Sequence, residues 1–123
     1  MIDVPIFKLA KADQAVRDLL ESENILRLYP FARAPDEPET PYATWQTVTG
    51  FPDNNLDSRP VSDRAVIQID VYAVDIDTVK RVAKAIRDAI ELDCYVVRYG
   101  EPDKDPVTNM PHCSFDASWI INR

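Results

Sequence analysis

Two runs in this chain alternate at strict period two, and between them they leave the rest of the sequence little freedom. In the first, Ala65, Ile67, Ile69, Val71 and Ala73 fall on one side with Gln68, Asp70 and Tyr72 on the other. In the second, Cys113, Phe115, Ala117, Trp119 and Ile121 alternate against Ser114, Asp116, Ser118 and Ile120. Successive side chains of an extended backbone point to opposite faces, so each run predicts a strand with one apolar face that needs an apolar layer against it. The segment between them supplies that layer. Ile76, Val79, Val82, Ala83, Ile86 and Ile90 recur at three- and four-residue steps, with Lys80, Arg81, Lys84, Arg87 and Asp88 opposite, and Asp75 or Asp77 can cap the helix.

The remaining segments are read around this unit. Val4 to Leu20 predicts a helix, with Pro5 in its first turn, Leu9, Val16, Leu19 and Leu20 on one face, and Ala12–Asp13 as the place where it could break. Ile25 to Tyr29 reads as a brief strand cut off by Pro30, and ARAPDEPET between Phe31 and Pro41 as an exposed, acidic connector. Tyr42 to Thr49 predicts a strand that stops at Gly50, and Gly50 to Arg64 a polar loop of about fifteen residues, long for a hairpin. Cys94 to Tyr99 predicts another strand, joined to the last by the Pro-punctuated GEPDKDPVTNMPH. The expected class is α+β: a mainly antiparallel sheet of about four to five strands packed by two helices, in the order α-β-β-β-α-β-β, forming a single domain over 1–123.

A chain of 123 residues can bury one core, and 46% hydrophobic with 28% charged residues is a globular composition. The net charge of −7 argues against gripping phosphate backbones, which rests on clustered Lys and Arg. The same charge serves solubility, or a duct through which DNA must slide without sticking. Ten prolines against two glycines point to shaped rather than slack loops. No apolar run approaches the roughly 18 to 20 residues of a membrane span, and MIDVPIFKLAKADQ does not read as a secretion signal. Cys94 and Cys113 have no Cys or His at metal-ligand spacing and are expected as two reduced, partly buried thiols.

Catalytic chemistry finds little to work with. His112 is the only histidine, placed in a loop before the last strand with a structural role, and no phosphate loop, nucleophile elbow or HExxH helix is present. Asp57 with Asp63, or Asp103 with Asp105, could converge as paired carboxylates or bridge a divalent ion between subunits, but nothing in the spacing requires it. The residues alone therefore describe an interaction module with no catalytic, cofactor-binding or metal-binding residues and no cofactor.

PYATWQTVTGFPDNNLD, DRAVIQIDVYA, the helix VKRVAKAIRDAI and SFDASW, in this order and spacing, together with PIFKLAKADQAVRDLL and RLYPF upstream, resemble the tail completion or tail terminator proteins of long-tailed bacteriophages over nearly the whole chain. The resemblance implies a non-enzymatic virion protein, assembled in the host cytoplasm, that forms a homo-oligomeric ring, usually of six copies, on the head-proximal end of the tail tube. Such a ring ends tube polymerisation and offers a surface to the head-to-tail connector protein, and DNA passes through it without specific binding; no membrane is involved. In that setting the Gly50–Arg64 and Gly100–His112 loops are interface elements, with Asn55, Asp57, Arg59, Asp63, Arg64, Asp103 and Lys104 the candidate contact residues. A connector adaptor or stopper subunit is the alternative. A small ferredoxin-like ligand-binding domain or enzyme is the second, and it would need a concave pocket with convergent polar groups.

Overall fold

A computed structural model describes residues 2–123. In chain order the elements are helices α1 (Ile6–Ala12) and α2 (Gln14–Leu20), short strands β1 (Glu21–Ser22), β2 (Ile25–Leu26) and β3 (Leu28–Pro30), long strands β4 (Tyr42–Pro52) and β5 (Ser62–Tyr72), helix α3 (Ile76–Ile90), and strands β6 (Tyr95–Tyr99), β7 (Asp103–Lys104) and β8 (Pro111–Asn122). One sheet runs β3-β4-β5-β8-β6, with β7 added to β8, and β1 and β2 form a separate two-stranded ribbon. All pairings are antiparallel except β3 with β4. The α+β class and the mainly antiparallel sheet stand as expected.

The two alternating runs become β5 and β8, which pair from Ser62↔Asn122 to Tyr72↔His112 with no register shift. Their inner faces hold Ile67, Ile69, Val71, Phe115, Ala117 and Trp119, all buried. Against them pack Val79, Val82, Ile86 and Ile90 of α3 and, beside it, Ile6, Ala10, Val16 and Leu20 of α1 and α2. Burying such aliphatic side chains contributes roughly 1.5–3 kcal/mol each before entropy is subtracted, so these rows dominate the stability of the fold. Asp75 caps α3, its side chain accepting from the Thr78 N–H at 2.7 Å.

Several boundaries differ from those the sequence suggests. The N-terminal helix does break at Asp13, whose carboxylate accepts from the Val16 N–H and starts α2, making three helices rather than two. The strand expected at Ile25–Tyr29 is divided. Glu23 and Asn24 take positive φ and fold β1 onto β2, while β3 restarts at Leu28 and includes Pro30. Pro30 is tolerated because β3 lies at the sheet's edge, where no neighbour needs its missing N–H. Gly50 does not end β4, which runs on to Pro52 and carries a bulge at Val48. The loop expected over Gly50–Arg64 therefore shrinks to 53–61, its flanks being strand.

Arg27, buried at 7% exposure, fastens the acidic connector. It donates to the carbonyls of Pro41 at 2.8 Å and Leu19 at 3.2 Å and to the Ser22 hydroxyl at 2.7 Å.

Candidate functional site

The long strands put two groups of chemically distinct residues at opposite ends of the sheet. At one end, the 53–61 loop is pinned at its base. Asp53 accepts from the Ser62 hydroxyl at 2.7 Å and from Arg64 Nε at 2.7 Å, and its N–H donates to the Ser62 carbonyl at 3.0 Å. Arg123 clamps Asp63 with two bonds, at 2.7 and 3.1 Å, and its backbone N–H donates to Val61. The Ser62 hydroxyl holds the Asp53 carboxyl below its ordinary range, and Arg123 does the same for Asp63. Beyond this base the tip is open: Asn55 donates to the Arg59 carbonyl at 3.3 Å, and Leu56 is wholly exposed.

At the other end, Asp105 organises the turn before β8 by accepting from the N–H groups of Val107 and Thr108 and from the Thr108 hydroxyl, at 3.1, 2.8 and 3.0 Å. The Thr108 N–H is the main reason its carboxyl is held low. His112 lies inside β8, not in a loop before it, and its ring is held between two carboxylates. Nε2 is 2.7 Å from Asp70 Oδ1 and Nδ1 is 2.8 Å from Asp103 Oδ1. Burial lowers its pKa, but the Asp70 and Asp103 hydrogen bonds outweigh burial and raise it. Tyr72 stacks on Tyr42 with ring centres 4.9 Å apart and tilts against His112 at 5.0 Å, and burial pushes the phenol of Tyr72 up. The outer face of the sheet continues with Arg98, which grips Asp116 with two bonds of 2.9 and 3.2 Å and Ser114 with one of 2.8 Å.

The candidate contact residues divide between these ends. Asn55, Asp57 and Arg59 occupy the 53–61 loop, while Asp63 and Arg64 are the first residues of β5 after Ser62, strand rather than loop. Asp103 and Lys104 form β7, also strand, paired to His112 and Pro111. Ile121, opposite Asp63, is ten residues along β8 from Pro111, roughly 33 Å at an extended rise. Of the carboxylates named from the sequence, Asp63 is held by Arg123, Asp103 by the His112 ring, and Asp105 by its own turn, and the charges of Asp103 and Asp105 both act on His112 and Tyr72. Among the described residues no group of three His, Cys, Asp or Glu side chains could hold a metal ion.

Sequence reasoning missed the Asp70–His112–Asp103 cluster. Asp70 and His112 are 42 positions apart and meet only through the β5–β8 register, where Tyr72 faces His112. A histidine on the polar face of one alternating run and an aspartate on the polar face of the other was the available signal.

A family model described as Tail completion protein gp17 matches residues 4–122. The fold is similar to a chain in a solved structure described as the virion of a native gene transfer agent (GTA) particle, with TM-score 0.69 and 15% identity, over 96% of this chain and 92% of that one. At that identity the likeness is one of fold. No curated protein sequence matches the chain.

Proposed function

The chain belongs to the tail completion protein gp17 family, and from that premise we propose that it forms a ring on the head-proximal end of the tail tube, where it stops tube growth and receives the head-to-tail connector. Its role is structural, in assembly of the virion tail. The observation that carries the finer reading is the placement of two exposed loops at opposite ends of the same uninterrupted strands, β5 and β8. A ring subunit touches a different partner above and below, and this architecture offers one pinned loop to each while leaving the sheet edges for neighbours within the ring.

In this arrangement the 53–61 loop, with Asn55, Asp57 and Arg59 and with Asp63 and Arg64 at its base, meets one partner. Asp103 and Lys104 of the β7 end meet the other. The whole chain acts as one unit, and its net charge of −7 suits a lumen that repels the DNA backbone and lets it pass.

The test is to add the purified chain to headless tail tubes and image the tube ends, with light scattering of the free protein alongside. A multi-copy cap at one tube end, with tube length held constant afterwards, is the expected result. Failure to bind tubes, combined with binding to the portal side of tailless heads, would instead make the chain a connector subunit.

A further inference from the structure

The two free edges of the sheet differ in charge and shape, and we infer that they are the two halves of one contact between neighbouring copies of this chain. The inference rests on the ring reading above and adds the surface through which the ring closes.

One edge is β6, the last strand of the sheet order, whose Tyr95, Val97 and Tyr99 are 71%, 57% and 65% exposed. Beside it runs the polar face of α3. Lys80, Lys84 and Arg87 line a groove of about 230 Å3 between that helix and the sheet, floored by Ala83, Tyr99 and Phe115. Lys84 and Arg87 both reach Asp88, at 2.9 and 3.0 Å, and Arg87 also approaches Glu91 at 3.9 Å. Arg81 turns back to the Thr78 hydroxyl at 3.2 Å and its charge acts on Asp75, which leaves Lys80, on the groove's rim, as the cation with no carboxylate within 4 Å among the described residues.

The opposite edge is β3, followed by the connector to β4. The connector carries Asp36, Glu37 and Glu39, all exposed, against the single cation Arg33 at its start. Phe31, 59% exposed just after β3, lines one groove together with Asp36. Arg27 anchors this segment through Pro41, so the acids sit on a held scaffold rather than a slack tail.

An aromatic side chain flanked by acids on one edge, and an apolar groove rimmed by lysines on the other, complement each other in shape and sign. They lie on opposite sides of one subunit, so the contact they make is heterologous and repeats from copy to copy, which closes into a ring when the rotation allows. Opposed potentials of this kind fix register and reject wrong pairings, since like charges brought together cost several kcal/mol. Phe31 of one copy enters the α3–β6 groove of the next, and Asp36 and Glu37 face Lys80 and Lys84.

The experiment compares Lys80→Glu/Lys84→Glu, Asp36→Lys/Glu37→Lys and the variant carrying all four changes, each as the full chain added to tail tubes, with thermal melts confirming the fold. Each double variant is expected to reduce capped tubes by about tenfold or more, and the fourfold variant to recover most of the loss, because the charges have only exchanged sides. Two double variants that cap tubes like wild type would overturn the inference and leave the ring reading standing. Folded variants without recovery in the fourfold chain would also overturn it. Wild-type protein that caps tubes as a single copy would remove both the ring and this contact.

Discussion

Asp70 Oδ1 lies 2.7 Å from His112 Nε2, with the aspartate only 5% exposed. The other ring nitrogen faces Asp103 at 2.8 Å. Ionised carboxylates only accept hydrogen bonds, so a neutral imidazole, with one N–H, would leave a lone pair aimed at one of them. The doubly protonated ring satisfies both.

The stability of the fold should therefore depend on pH through His112. Its pKa is raised in the folded state. The stabilisation is fully present below the unfolded value of about 6.5 and is lost as pH rises through the higher folded value. Urea midpoints of the wild type should fall over that upward window, whereas His112→Gln should show a flatter profile and about 2 kcal/mol less stability at the acidic end. Parallel profiles for the two proteins would contradict this assignment.

The two glycines should respond differently to alanine. A Cβ at Gly100 would meet the Ser114 hydroxyl at 2.7 Å and the Ser114 carbonyl at 2.9 Å, and the Gly100 N–H donates to that carbonyl at 2.7 Å. Gly100→Ala must open the backbone beside β8, at a cost of about 1–3 kcal/mol. At Gly50 the close neighbour is only the Cδ1 of Ile2, at 2.9 Å, the end of a side chain that can turn away. Thermal melts should place Gly50→Ala near wild type and Gly100→Ala well below it.

Cys94 should resist alkylation. It is 8% exposed and burial pushes its thiol up to about 11, leaving about one thiolate in a thousand at pH 8. Burial also raises the thiol of Cys113, which is half-buried. Iodoacetamide at pH 8 should label neither quickly in the native protein and both in denaturant. Rapid native labelling at Cys94 would mean that the end of α3 opens readily.

Reversing the charge of Arg59 and Arg64 tests the 53–61 loop separately from the sheet edges. Arg64 is half-exposed and holds Asp53, an exposed pair of the kind that adds little to stability. Arg59→Glu/Arg64→Glu should melt close to wild type yet fail to join tails in an in vitro assembly assay. Normal joining would remove this loop from the contact surface.

The periodic elements were legible in the sequence because their physics is local. The alternation of Ile67, Ile69 and Val71 and the helical spacing of Val79, Val82 and Ile86 each state their buried face without reference to anything distant. What escaped was set by partners far along the chain. Pro30 could remain in a strand only because β3 is an edge, and β4 could pass Gly50 because β5 continued to supply hydrogen bonds as far as Asp63. Nothing local marks Arg27, which is buried because carbonyls of Leu19 and Pro41 and the hydroxyl of Ser22 converge on it. The two loops fall between strands as expected but were drawn too long, since nothing in Asp63, Arg64, Asp103 or Lys104 distinguishes a short strand from a polar turn.

In the ring proposed above, the unbroken β5–β8 register would also make each copy a spacer of fixed height. Pairs run from Ser62↔Asn122 to Tyr72↔His112 without a slip. A one-residue change in either strand would turn every buried side chain beyond it to the wrong face, so the gap between whatever lies above and below can change only in two-residue steps, about 7 Å each, made in both strands at once. A homologue serving a taller or shorter gap would have to differ by such a step, or make up the difference in its loops.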